Sequence, residues 1–137
     1  MLFRSREKLS RIIFSDKTAR CKLDNCLHPL IIKKLLSDAE KLKKSMEGSL
    51  IIADVPLFIE CGIQKHFDKI ILVYSDRETQ ISRLIKRNNL TTEEAEKRVD
   101  SQVPIEEKRK FADFIIDNCG SFEDLEINTR DVFFKLV

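Results

Sequence analysis

Glycine is scarce in this sequence, with three in 137 residues, at positions 48, 62 and 120. No two of Gly48, Gly62 and Gly120 lie close enough to share one Gly-rich loop, so no stretch of these residues can cradle phosphates on closely spaced backbone N–H groups. Long apolar runs are missing as well. Nothing approaches the length of a membrane span, and Met1-Leu2-Phe3-Arg4 running into charge is not a signal peptide. A cytoplasmic location with no membrane partner is the expectation that follows. An excess of one charge is also lacking: the formal net charge of +2 is too small to point to nucleic acid or a membrane surface. The cysteines Cys21, Cys26, Cys61 and Cys119 form no CxxC and match no zinc spacing. A helix would carry Cys21 and Cys26 about 7.5 Å apart along its axis and onto different faces, which disfavours a disulfide. The four read as reduced thiols, mostly packing residues.

What is present suits one folded domain over 1–137. Hydrophobic residues make up 42% and charged residues 35%, with the Lys, Glu and Leu content of a helix-rich protein. The stretch around which the chain is organised is Leu50-Ile51-Ile52-Ala53-Asp54-Val55-Pro56-Leu57-Phe58. Its β-branched start, preceded by Gly48-Ser49 and stopped by Pro56, predicts a strand buried on both faces in a parallel sheet covered by helices. Asp54 then stands near a strand's carboxyl end, where open α/β sheets place their ligands. It is equally an acid that merely ends a strand.

Upstream, Leu2, Leu9, Ile12 and Ile13 suit an amphipathic helix. Ser15-Asp16 offers an N-cap for a second, with Ala19, Leu23, Cys26 and Leu27 at helical spacing until His28-Pro29 interrupts. Leu30, Ile31, Leu35, Leu36, Ala39, Leu42 and Met46 continue the stripe to Gly48, backed by Lys33, Lys34, Lys41, Lys43 and Lys44 as a solvated face.

Downstream of a loop and short helix over 57–68, Lys69 to Tyr74 predicts a second buried strand. Ser75-Asp76-Arg77-Glu78 follows as a capping-box pattern, with Ile81, Leu84 and Ile85 as the helix's inner face. Gln80, Arg83 and Arg87 fall on a neighbouring face, suited to phosphate oxygens or simply solvated. Thr91-Thr92-Glu93-Glu94 caps a short helix to about Gln102 with almost nothing apolar to bury, a candidate mobile lid over about 88–103 carrying Arg98. Pro104 opens another short helix. Phe114-Ile115-Ile116 predicts a third buried strand ended by the turn Asp117-Asn118-Cys119-Gly120. Ser121 with Asp124 caps a last helix whose Phe122, Leu125, Val132, Phe133 and Leu136 face the sheet.

Taken together, Leu27-His28-Pro29, Asp54 to Phe58 with Glu60, Phe67-Asp68-Lys69, Gln80-x-x-Arg83 with Arg87, Arg98 with Gln102, Ala112-Asp113 and Ile116-Asp117-Asn118-x-Gly120 resemble dephospho-CoA kinase across essentially the whole chain. The resemblance implies an α/β fold: a three-layer P-loop-kinase parallel sheet flanked by helices, with a helical lid, but missing its first strand and P-loop. It implies transfer of the ATP γ-phosphate to the 3′-hydroxyl of dephospho-CoA, the last step of coenzyme A synthesis. ATP and Mg²⁺ would be the cofactors, dephospho-CoA the other ligand, and nucleic acid no partner. Arg87 and Arg98 would meet the phosphates, Asn118 and Gly120 the adenine, and His28 and Pro29 the CoA substrate. Asp54 would stand near magnesium through water. Because the chain has no Gly-Lys-Ser/Thr loop, the alternative is a catalytically inactive fragment or a CoA/nucleotide-binding module. The absent strand would lie between those ending at Asp54 and Tyr74. The chain would then pair these two directly, take a strand from a partner chain, or be marginally folded.

Overall fold

The computed structural model describes the backbone of residues 2–137 and the side chains of 8–10 and 12–137. It divides into one compact unit ending at His66 and another over Phe67–Val137.

The first unit is helical. Helix α1 (Leu2–Ser15) and helix α2 (Lys17–Ser45) pack together and are separated by Asp16 alone. Asp16 is the expected N-cap: its Oδ1 accepts the N–H groups of Thr18 at 2.8 Å and Ala19 at 3.1 Å, satisfying donors the first turn leaves open. The Leu2 part of the predicted α1 stripe lies outside the described side chains. His28-Pro29 does not interrupt the chain: α2 runs through Pro29, contrary to the sequence expectation. Proline removes only its own N–H, and helical bonds on either side carry the helix across that one lost link. The lysine face is exposed as expected, but so is much of the apolar stripe, with Leu30 at 64% and Ile31 at 54% exposure. Gly48, at φ 77°, takes the left-handed turn that ends this segment, which an L side chain would resist.

The strand expected at Leu50–Val55 does not form. Among the described residues the only ladder joins two other segments, and Ile52 is 71% exposed. β-Propensity needs a neighbouring strand to bond with, and without one an apolar β-branched run stays extended and irregular. A turn-rich loop and a 3₁₀ turn at Gln64–His66 follow, and Ile63, just before that turn, is buried.

The second unit is α/β. Strand β1 (Ile71–Tyr74) lies parallel to β2 (Phe114–Asp117) with Ile71 opposite Phe114 and Tyr74 opposite Asp117. Parallel neighbours need a long crossover, here helices α3 (Arg77–Asn88), α4 (Thr92–Val99) and α5 (Ile105–Arg109). Asp113 sets the register. Its Oδ2 accepts Ile70 N–H at 2.9 Å, its Oδ1 holds Lys69 Nζ at 3.1 Å, and Ile70 O accepts the N–H groups of Asp113 and Phe114. Helix α6 (Phe122–Leu136) packs on β2, and Val132 of the helix and Ile116 of the strand are both buried.

Several burial expectations are corrected. Val73 is 54% and Ile115 39% exposed, because a two-stranded sheet gives helices too little breadth to cover both faces. On α6, Val132 turns inward while Phe122 and Phe133 are exposed; a helix against one strand hides only a narrow stripe. The N-cap of α3 is Asp76, accepting from Thr79 N–H at 2.8 Å, without the reciprocal bond of a capping box. Thr91 and Glu94 do form one on α4, and Ser121 with Asp124 on α6. Helix α4 is not polar all round, since Ala95 has no exposed surface and α3 packs on it: one small residue suffices where two helices approach closely.

Candidate functional site

The carboxyl end of β1 gathers the chemistry of the second unit. Tyr74 O accepts the N–H of Asn118 at 2.8 Å, and Asp76 N–H donates to Cys119 Sγ at 3.4 Å, so the turn after β2 is stitched to the end of β1. Cys119 N–H in turn donates to Asp117 Oδ1 at 2.8 Å, and Asn128 Nδ2 to Asp117 O at 3.1 Å. At Gly120 a Cβ would stand 2.7 Å from Asp124 Oδ2, so a side chain there would displace a carboxylate that Ser121 engages. The N–H of Asp76 pulls the Cys119 thiol toward ionisation, but burial and the neighbouring carboxylates outweigh it and leave the thiol above its usual range.

Beside this turn, Ser75, Gln80, Arg83, Leu84, Lys86 and Arg87 line an open groove of about 600 Å³. Gln80 Nε2 donates to Ser75 O at 2.7 Å and fixes one wall to the strand end. Arg83, Lys86 and Arg87 are spaced three and four apart on α3, hence stacked along one face. Lys86 and Arg87 also lie in the last turn, where the helix dipole favours cations. Arg87 Nε donates to Asn88 Oδ1 at 2.9 Å. Among the described residues no carboxylate lines the groove, so its charge is available to an anion.

Arg98 is half-buried in the last turn of α4, its carbonyl accepting Ser101 Oγ at 2.7 Å, and it is not among the groove's lining residues. A further cluster lies under the strand end. Tyr74 OH donates to Glu106 Oε1 at 2.7 Å, and the Arg109 guanidinium sits 5.1 Å from the Tyr74 ring centre and 3.2 Å from Glu106. The shared hydrogen bond raises Tyr74 and lowers Glu106, the two ends of one interaction.

In the first unit, His28 Nε2 is 3.6 Å from Asp24 Oδ1, a one-turn pair on α2 that is ionic only when the imidazole is protonated. Pro29 follows it, exposed, and Asp54 is exposed in the unladdered segment. Cys61 is pushed up first by burial and then by Glu60 and Asp24. Among the described residues no group of three His, Cys, Asp or Glu is arranged to hold a metal ion, and no helix is long and apolar enough to cross a membrane.

The family model for dephospho-CoA kinase matches residues 4–124. The chain belongs to the dephospho-CoA kinase family. The dephospho-CoA kinase of Lactobacillus acidophilus is 37% identical over 134 residues, covering 96% of this chain and 66% of that protein. The Listeria monocytogenes enzyme is 43% identical over 119 residues, 87% of this chain and 59% of its own length. A crystal structure of a Thermus thermophilus protein superposes with a TM-score of 0.72 at 32% identity, covering 96% of this chain and 67% of that one. The dephospho-CoA kinase of Campylobacter jejuni gives 0.63 at 36% identity, covering 96% and 64%. The chain thus spans roughly three-fifths to two-thirds of the length of the curated relatives it matches.

Of the residues that the dephospho-CoA kinase resemblance singles out in the second unit, Arg87 enters the groove, while Asn118 and Gly120 form the turn joined to the same strand end. Lys86 was missed by the sequence reading, although its offset of three from Arg83 was the available signal. The Tyr74, Glu106 and Arg109 cluster carried no signal at all, since its members are brought together only by α5 meeting β1.

Proposed function

We propose that this chain carries the acceptor, lid and adenine-side portion of a dephospho-CoA kinase, acting in transfer of the ATP γ-phosphoryl group to the 3′-hydroxyl of dephospho-CoA. The observation that carries the reading is the groove beside the end of β1, which Arg83, Lys86 and Arg87 line and, among the described residues, no carboxylate does. Phosphoryl transfer asks mainly for alignment and for cations around the transferring oxygens. Arg87 supplies charge to the phosphates, and Arg98 joins it from α4 when the lid over 88–103 closes. Asn118 and Gly120 support the adenine, and His28 and Pro29 meet the CoA substrate.

Asp54 is an exposed oxygen donor outside any ion pair among the described residues. A lone carboxylate of this kind fits Mg²⁺, which keeps most of its waters and takes few protein ligands. When bound, the ion would neutralise phosphate charge. The reading carries a cytoplasmic location with it, where the four free thiols stay reduced. It also includes a strand from another chain on the second edge of β1, which has no ladder partner among the described residues.

The test is calorimetric titration of ATP, and separately of dephospho-CoA, into the 137-residue chain, with coupled turnover measured in parallel. Binding of both ligands, with Arg87→Ala weakening ATP about 10- to 100-fold as a charge-assisted contact is lost, is the expected result. Binding without turnover would reduce the function to a nucleotide and CoA module. Binding of neither would overturn it.

A further inference from the structure

Asp100, Ser101 and Gln102 join α4 to α5, and each is held by a different neighbour. Asp100, the C-cap of α4, receives Arg77 Nη2 on both carboxylate oxygens at 3.0 and 3.2 Å, and Arg77 is the first residue of α3. Ser101 Oγ donates to Arg98 O at 2.7 Å. Gln102 Oε1 accepts Lys108 Nζ at 3.3 Å, and Lys108, on α5, is buried with 9% of its surface exposed. Helix α5 is itself tied to the sheet through Glu106 and Tyr74. At the opposite end of α4 the chain leaves α3 through Asn89 at φ 50°, and the Thr91–Glu94 box is internal to that end of the helix.

These contacts are poorly explained as stability devices. The Arg77–Asp100 pair is more than half exposed on both sides, where ion pairs add little. The Lys108 side chain is mostly covered, and Gln102 gives its Nζ a polar partner there. What the contacts do accomplish is geometric: they anchor the turn immediately after Arg98 to α3 on one side and to α5 on the other.

We propose that residues 100–102 are a clamped pivot that aims Arg98, with Arg77 and Lys108 as positioning residues for phosphate binding. This rests on the reading of Arg98 as a phosphate ligand. With the pivot fixed, α4 turns about residues 100–102 as the lid closes, its Asn89 end travelling furthest, and Arg98, less than one turn from the pivot, is carried to the phosphates along one set path.

The test combines ¹⁵N relaxation with ATP titration on the full chain, for the wild type, Lys108→Met, Arg77→Gln and Asp100→Asn. In the wild type, residues 98–102 should show order parameters near about 0.85, falling toward about 0.6 in the variants. ATP affinity should fall about tenfold, as expected for a displaced contact. Lys108→Arg and the exchanged pair Arg77→Asp with Asp100→Arg should restore both readouts, which a general loss of packing would not allow. Unchanged order parameters in Lys108→Met and Arg77→Gln would overturn the pivot, and so would loosening with ATP affinity intact. A wild type that binds no ATP would instead remove the phosphate reading, leaving the clamp to be judged by relaxation alone.

Discussion

Gly120 shows how a single missing side chain holds a turn together. Because a Cβ would meet Asp124 Oδ2 at 2.7 Å, Gly120→Ala must push that carboxylate away from the Ser121 N–H and hydroxyl it caps. The expected loss is about 0.5–1.5 kcal/mol, the usual net worth of a hydrogen bond, read from the urea midpoint; an unchanged midpoint would show that the carboxylate keeps its place. The capping and register carboxylates also predict how the chain responds to acid. Asp113 is held below its ordinary range first by the Ile70 N–H and then by Lys69, Asp76 by the backbone and hydroxyl of Thr79, and Asp124 by Ser121. In each case the folded state favours the carboxylate. The stabilisation is therefore complete above the ordinary carboxyl pKa of about 4 and is lost as pH falls through the lower folded values. Asp113→Asn should lower stability at neutral pH and flatten the fall below about pH 4, measured as the urea midpoint against pH. A parallel curve for the variant would remove Asp113 from the account.

At the scale of elements, signals that act locally were legible in the sequence and those that depend on a neighbour were not. Asp16, Thr91–Glu94 and Ser121–Asp124 cap helices where the sequence placed them, because a cap is settled within a few residues. The apolar runs at 71–74 and 114–117 became strands because they found each other, while Leu50–Val55, with equal propensity, found no partner and formed none. In the groove, the face of Gln80, Arg83 and Arg87 was readable from spacing alone, whereas the closure of its wall by Ser75 was not. Pro29 was misread because helix-breaking is an average tendency, and a long helix can absorb one missing hydrogen bond. Since proline inside a helix costs up to about 3 kcal/mol, Pro29→Ala should stabilise α2, raising the urea midpoint. On the functional reading it should at the same time weaken dephospho-CoA binding. A midpoint that falls would mean that Pro29 is favoured by packing.

For the whole molecule, the balance of buried and exposed apolar groups sets the expectation. The buried hydrophobic positions among the described residues are Ile63, Ala95, Ile116 and Val132, while Leu30, Ile52, Phe122 and Phe134 are each more than 60% exposed. A surface of that kind binds hydrophobic dyes and favours association. The chain should therefore enhance anilinonaphthalene sulfonate fluorescence at neutral pH and sediment faster as its concentration rises; dye silence and a concentration-independent monomer would contradict this. Ligands that bind the folded form should raise the thermal midpoint through linkage.

Whether the cationic groove at the end of β1 receives the phosphates of ATP, as proposed, is tested by ATP titration of the wild type against Arg87→Ala at two salt concentrations. Saturable binding by the wild type that weakens with salt, and binding about 10- to 100-fold weaker in the variant, is the expected result. Equal ATP affinity in the two proteins would contradict it.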